Sequence, residues 1–271
     1  MPELPEVEVL CYSLIPFVLN KVITRIVIYQ YSLRYPVPNN LEDKLVGQTI
    51  NTICRIGKYI LFKTQKGTII SHLGMSGNFV IKNKNHIIAK NEHVIIGFDN
   101  FDLCYIDNRR FGLILWTEND PLTHKLLKNV GIDPFSDKFT VHFLWRSLLS
   151  KKTNIKQFLM NGKIISGIGN IYANEILFIS KINPYTVSRS IPFEKCQILF
   201  NNIRQILQLA IQYGGTSIRN YIDAHGISGS FQNKLKVYGK AGHTCSMCNM
   251  YSLVIVKINQ RSTVYCPYCQ K

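Results

Sequence analysis

Acidic side chains are scarce in this chain of 271 residues: 16 Asp and Glu stand against 32 Lys and Arg, for a formal net charge of +16. No apolar run approaches the ~20 residues that a membrane-spanning helix requires. The opening segment MPELPEVEVL carries Glu3, Glu6 and Glu8 and lacks the basic-then-apolar order of a secretory leader. The expected compartment is therefore the cytosol, with its nucleoid. Low-complexity tracts and internal repeats are missing as well. With 46% hydrophobic and 18% charged residues, the composition excludes a disordered chain. The length allows one or two domains, each large enough for a core of its own.

What charge there is lies unevenly. Residues 1–135 hold 15 basic and 12 acidic side chains, whereas residues 136–271 hold 17 basic and 4 acidic, so net +13 of the excess sits in the second half. A basic half of that kind attracts a polyanion, most often nucleic acid. Charge alone leaves a solvated basic face, ribosomal contact or a membrane surface open.

Eight cysteines are present, and four of them close the chain: Cys245, Cys248, Cys266 and Cys269. The pattern CxxC, seventeen residues, CxxC fits a four-thiolate zinc site, because a two-residue gap lets both sulfurs of a knuckle reach one ion. Four ligands leave no open position, so the expected single Zn2+ is structural. Two disulfides are the alternative, and the missing export signal argues against them. The tail from Lys236 is too short to fold on a core of its own without such a staple. Cys11, Cys54, Cys104 and Cys196 are scattered and read as ordinary buried thiols.

The first half reads as strands: 22–29, 50–56, 59–63, 68–72, 93–98, 101–106 and 111–116, with turns at Lys66-Gly67 and Asp99-Asn100. Strands this dense predict an antiparallel sandwich or barrel. One helix precedes them, since Val7, Leu10, Leu14 and Val18 recur at helical spacing, with Pro2 and Pro5 tolerable only in a first turn. The second half turns helical over 140–149, 154–160, 171–179 and 192–213. The fold class is thus α+β, with expected blocks at 1–135, 136–235 and 236–271. A glycine-bearing break at Gly226, Gly229 and Ser230 reads as a loop long enough to move.

Two segments suggest chemistry. Gly167-Ile168-Gly169-Asn170 opens a helix, where free backbone N–H groups cradle phosphate, and Lys156 and Lys163 lie just before it. Pro2 follows Met1, and initiator Met is removed before a residue this small. An α-amine freed there has a pKa of ~7.7–8.0, so a useful fraction is neutral near pH 7. Attack on a sugar anomeric carbon gives an iminium, an electron sink that acidifies neighbouring C–H bonds, and Glu3 and Glu6 lie within a turn to move protons. Taken alone, the same residues also read as a plain helix start with acidic capping.

Five motifs in order resolve that ambiguity: MPELPEVE at the start, HLGMSG at 72–77, DNRRFG at 107–112, GIGNIYANE at 167–175 and the terminal cysteine pairs. Together they resemble bacterial formamidopyrimidine-DNA glycosylase, over essentially the whole chain. The resemblance implies an N-terminal β-sandwich with flanking helices, a helical domain with a helix–two-turn–helix motif, and a C-terminal zinc-finger hairpin, with damaged double-stranded DNA across the cleft between the halves. It implies a monomer that removes oxidised purines such as 8-oxoguanine and then cuts the strand by β- and δ-elimination, with no organic cofactor. Pro2 matches the nucleophile, Glu3 the catalytic carboxylate, Glu6 a second acidic residue, and Lys58 a lysine reaching phosphate and the damaged nucleotide. Met75, Arg109 and Phe111 match the set that fills the space left by an extruded base. His72, His93, Arg110, Lys156 and Asn170 match DNA contacts, and Arg261 sits between the zinc knuckles where a hairpin tip can enter the minor groove. Tyr221 lies in the loop 217–230 that matches the region covering the flipped base. The family's KHDH reads Lys90-Asn91-Glu92-His93 here, Asn108 stands where Pro is common, and Gln157 stands where Pro often follows the helix lysine. The rivals are an endonuclease VIII-type enzyme for oxidised pyrimidines, against which PELPE and the Met75/Arg109/Phe111 set argue, and a non-catalytic zinc-ribbon DNA-binding protein, which leaves the Pro2-Glu3-Glu6 start unexplained.

Overall fold

The computed structural model describes residues 1–217, 223–224 and 226–271. It divides into two compact units, Met1–Asn129 with Tyr213–Ser230, and Val130–Gln212 with Phe231–Lys271.

The first unit begins with α1 (Leu4–Val18), which Glu3 and Glu6 start as a capping box with Pro5 in the first turn. Leu4, Val7, Leu10, Leu14 and Val18 form its fully buried stripe. Each such side chain contributes about 1.5–3 kcal/mol by leaving water. Two antiparallel four-stranded sheets follow. One runs in the order β1 (Arg25–Ile28), β6 (Glu92–Gly97), β7 (Phe101–Asp107), β5 (Gly77–Asn83). The other runs β2 (Thr52–Ile56), β3 (Tyr59–Lys63), β4 (Thr68–His72), β8 (Leu113–Thr117). Phe62 of β3 meets Phe79 of β5 edge-on at 5.3 Å, and Phe79 meets Tyr105 of β7 at 5.1 Å, so the core lies between the sheets as a sandwich. β5 and the five-residue helix α2 (Leu41–Leu45) have no counterpart in the sequence expectation. The polar end of β5, Lys82-Asn83, is strand because it pairs with Asp102 and Phe101 of β7.

The second unit holds α3 (Val141–Leu149), α4 (Ile155–Leu159), α5 (Asn170–Ile179) and α6 (Phe193–Gln212). Thr140 and Asn154 cap α3 and α4, accepting the N–H groups of Phe143 and Gln157 at 3.1 and 2.9 Å. Residues 171–178 of α5 are buried on every side, which makes it the central helix. The hairpin β9 (Val254–Ile258) and β10 (Arg261–Tyr265) turns through Asn259 and Gln260, both with positive φ, as a two-residue type I′ turn demands. Val237, Leu253 and Val264 pack with Phe178 at the end of α5, together with Cys245 and Cys266. The tail thus belongs to the same compact unit as the helices, where the sequence suggested a separate block at 236–271. Likewise the first unit ends at Asn129 rather than 135, and 213–230 returns to it. The physical reason is that so short a tail buries its apolar residues only against a neighbour.

Candidate active site and metal centre

At the foot of α1, Pro2 is buried beneath Met1 and followed by Glu3 and Glu6, each 2% exposed. Glu6 Oε2 accepts the Glu3 N–H at 2.8 Å, and its other oxygen accepts the Thr216 N–H, also at 2.8 Å. One carboxylate therefore fixes both the start of the chain and the segment at 216. Gly215 makes this possible: its φ is +79°, and a Cβ there would stand 3.1 Å from Glu6 Oε1.

A cavity of about 630 Å³ brings together Met1, Arg34, His72, Met75, Arg109 and Phe111. His72 ends β4, stacks edge-on against Tyr59 at 4.8 Å, and accepts the Gly74 N–H on Nδ1 at 2.9 Å. Burial, with the cations of Lys58 and Arg34 nearby, pulls its pKa down to about 4. The ring is therefore neutral at working pH, with its proton on Nε2 as a donor. Lys58 sits half-buried in the β2–β3 turn.

Met75 and Phe111 remain 40% and 46% exposed, unlike core apolar residues, and the Arg109 guanidinium lies 4.6 Å over the Phe111 ring. Their loops meet at Gly74, whose absent Cβ would come within 2.4 Å of the Phe111 backbone. Beneath them is Asp107, fully buried. Its Oδ1 accepts from Ser76 Oγ at 2.6 Å and from the Arg109 N–H at 3.1 Å, and its Oδ2 accepts the Gly112 N–H at 2.8 Å. Arg110 is exposed, with φ of 56°. His93 was expected to touch DNA, but it is 6% exposed and its Nε2 donates to the Asp107 carbonyl at 2.6 Å. It braces the loop from within, at the bulge between Glu92 and Val94 where the register of β6 on β7 shifts and re-aims the side chain.

In the second unit, Lys156 also departs from expectation. It is 1% exposed, and its ammonium donates to the Ser262 carbonyl at 3.0 Å and to Thr263 Oγ1 at 2.6 Å. A buried ammonium needs such partners, and the hairpin supplies them. Asn170 Nδ2 donates to the same Ser262 carbonyl at 3.0 Å. Arg261, the next residue back, is exposed at the hairpin tip. Tyr221 lies outside the described residues.

The four terminal cysteines converge, with their sulfurs within 4.8 Å of one another, and could hold a metal ion. The Met247 and Cys269 N–H groups point at Cys245 and Cys266 sulfur at 3.4 Å each. Backbone N–H groups of Met250 and Tyr251 lower the pKa of the Cys248 thiol, whereas burial raises those of Cys266 and Cys269.

Three supporting residues escaped the sequence reading. Glu175, 1% exposed, accepts the N–H groups of Lys236, Val237 and Tyr238 at 2.8–3.0 Å; burial pushes its carboxyl up while these donors pull against it. Asn174 accepts the Val264 N–H at 2.8 Å. Asp107 is the third. Only the presence of polar residues inside the motifs DNRRFG and GIGNIYANE hinted at them.

Residues 1–114 match the family described as the formamidopyrimidine-DNA glycosylase N-terminal domain, and residues 130–221 match its H2TH domain. The formamidopyrimidine-DNA glycosylases of Shewanella halifaxensis and Cellvibrio japonicus are each 40% identical, with all of both chains covered. Among solved structures, Lactococcus lactis Fpg with abasic-site DNA superposes with a TM-score of 0.92 at 33% identity, covering 99% of each chain. The wild-type Lactococcus lactis protein with N7-benzyl-Fapy-dG DNA gives 0.92 at 32%, covering 100% of each. A two-sheet sandwich, an H2TH helical unit and a cysteine-clustered hairpin define a base-excision-repair DNA glycosylase. The chain belongs to the formamidopyrimidine-DNA glycosylase family.

Proposed function

We propose that the protein removes oxidised purines, 8-oxoguanine and formamidopyrimidines among them, from duplex DNA through a covalent bond to Pro2, and then cleaves the strand. The observation that carries this is the chain start, where Pro2, Glu3 and Glu6 are buried together and Glu6 is pinned from two sides. Removal of Met1 turns the Pro2 nitrogen into a secondary amine. That amine attacks C1′ of the damaged nucleotide, the glycosidic bond breaks, and the base leaves with a proton. Glu3 protonates the opening sugar ring, and the resulting iminium acidifies C2′–H. Loss of that proton expels the 3′ phosphate, and a second elimination expels the 5′ phosphate, leaving a one-nucleotide gap.

Extruding the base costs a few kcal/mol of stacking. Met75 and Phe111 offset it by filling the vacated space, and Arg109 donates to the widowed cytosine. Lys58, His72 through Nε2–H, and Arg110 hold phosphates. Lys156 and Asn170, both on the Ser262 carbonyl, position Arg261 for the minor groove. The four thiolates hold one Zn2+, whose role is to rigidify that hairpin. One chain serves one duplex in the bacterial nucleoid.

The test is borohydride reduction during incubation with duplex carrying 8-oxoguanine opposite cytosine. A covalent adduct mapping to Pro2 is expected, strongly reduced in Pro2→Gly and in Glu3→Gln. Adduct formation on an internal lysine overturns the mechanism. Faster turnover of thymine glycol than of 8-oxoguanine overturns the substrate class.

A further inference from the structure

Strand pairing in the first unit brings together three ligand-bearing side chains that the repair chemistry does not use: His86 in the β5–β6 connection, Glu92 at the start of β6 and Cys104 in β7. His86 Nδ1 faces the Asn83 carbonyl at 2.8 Å and so must donate to it. Its Nε2 then points inward, 2.7 Å from Glu92 Oε2 and 3.6 Å from Cys104 Sγ. The second oxygen of Glu92 accepts the Ala89 N–H at 3.1 Å and the Lys82 ammonium. Such outer contacts fix a ligand's orientation and, for His, its tautomer. Glu92 is 1% and Cys104 0% exposed, while the His86 side chain keeps 12%, so one edge of the cluster opens to solvent.

Charge also suits an ion. The charged groups around the cluster are Lys82 on Glu92, and Asp102 with Arg25 at 2.7 Å on the Nδ1 side of the ring. The His86–Glu92 contact shares one proton, and the buried Cys104 thiol carries another. A divalent ion that replaces both, with the protons passing to solvent, leaves no new uncompensated charge inside.

We propose that His86 Nε2, Glu92 Oε2 and Cys104 Sγ form a second metal site, distinct from the four terminal cysteines, for a divalent ion of the zinc type with water as fourth ligand. Tetrahedral bonds of ~2.05 Å to nitrogen and ~2.3 Å to sulfur set the N···S separation at about 3.5 Å, close to the 3.6 Å found. The N···O pair must open from 2.7 Å to about 3.4 Å, which a change of rotamer in the partly exposed His86 supplies. A nitrogen, oxygen and sulfur set selects zinc-like ions over magnesium or calcium. The ion fastens the 83–92 connection to β7, one residue from His93 and its bond to the Asp107 carbonyl.

The test uses full-length protein whose terminal cysteines are already filled with zinc, titrated with Co2+ alone. A second equivalent is expected, with thiolate-to-cobalt absorption and the release of protons seen by calorimetry in two buffers. Cys104→Ser should abolish the absorption, and His86→Asn should weaken uptake at least about tenfold, both with the first equivalent of zinc retained. No second equivalent in the wild-type protein overturns the proposal. So does a second equivalent that persists unchanged in Cys104→Ser or His86→Asn.

Discussion

Asp107 in the first unit and Glu175 in the second do the same job by different routes. Both are buried carboxylates that gather donors and hold a functional segment in place. Asp107 collects the N–H groups of Arg109 and Gly112, two and five residues on, together with Ser76. It thereby shapes the loop carrying Arg109 and Phe111. Glu175 collects three successive N–H groups 61 to 63 residues away and fixes the chain as it enters the cysteine-bearing tail. The difference teaches that a buried carboxylate can brace a segment of backbone from a place near or far in sequence.

Glu175→Ala gives the largest expected effect. It orphans three backbone donors, at about 3–5 kcal/mol in total, and frees the entry to the tail. Denaturant unfolding reads the loss, and a chelator should strip the terminal cysteines faster than in the parent. Asp107→Asn turns one acceptor into a donor facing donors, at about 2–3 kcal/mol. Affinity for duplex with an abasic site should fall while metal retention is unchanged. If Asp107→Asn released the terminal metal as well, the separation between the two anchors would fail.

A third effect, of about the same size, concerns pH. His72 has its pKa lowered from 6.5 to about 4 in the folded protein. The unfolded chain therefore binds the proton first as pH falls. Stability from this group is whole above about 6.5 and drains away toward pH 4, by about 2–3 kcal/mol. His72→Gln should flatten that part of the stability–pH curve, and an unchanged slope would place the titration elsewhere.

Local signals were legible from residues alone. The stripe Val7, Leu10, Leu14, Val18 marked α1, and the helices expected over 140–149 and 154–160 are present, with Thr140 and Asn154 as their caps. The CxxC pairs marked a candidate metal centre, and their sulfurs do converge. β5 escaped because its polar end is strand only through pairing with β7. His93 and Lys156 carry the right residue types for DNA contact, yet the fold turns both inward. No period or spacing reports which carbonyl or hydroxyl such a side chain meets in the packed chain.

The sequence by itself determined the classes of element, the cysteine quartet, the Pro2-Glu3-Glu6 start and the preference for a polyanion. These depend on spacing within one turn, one strand or one knuckle, where chain connectivity fixes geometry. Only tertiary structure decided that Glu6 would join Thr216, that Lys156 would serve Ser262 and Thr263, and that His86, Glu92 and Cys104 would converge. Those contacts arise when buried polar groups, costly to leave unpaired, take whichever partner the packed chain brings within reach.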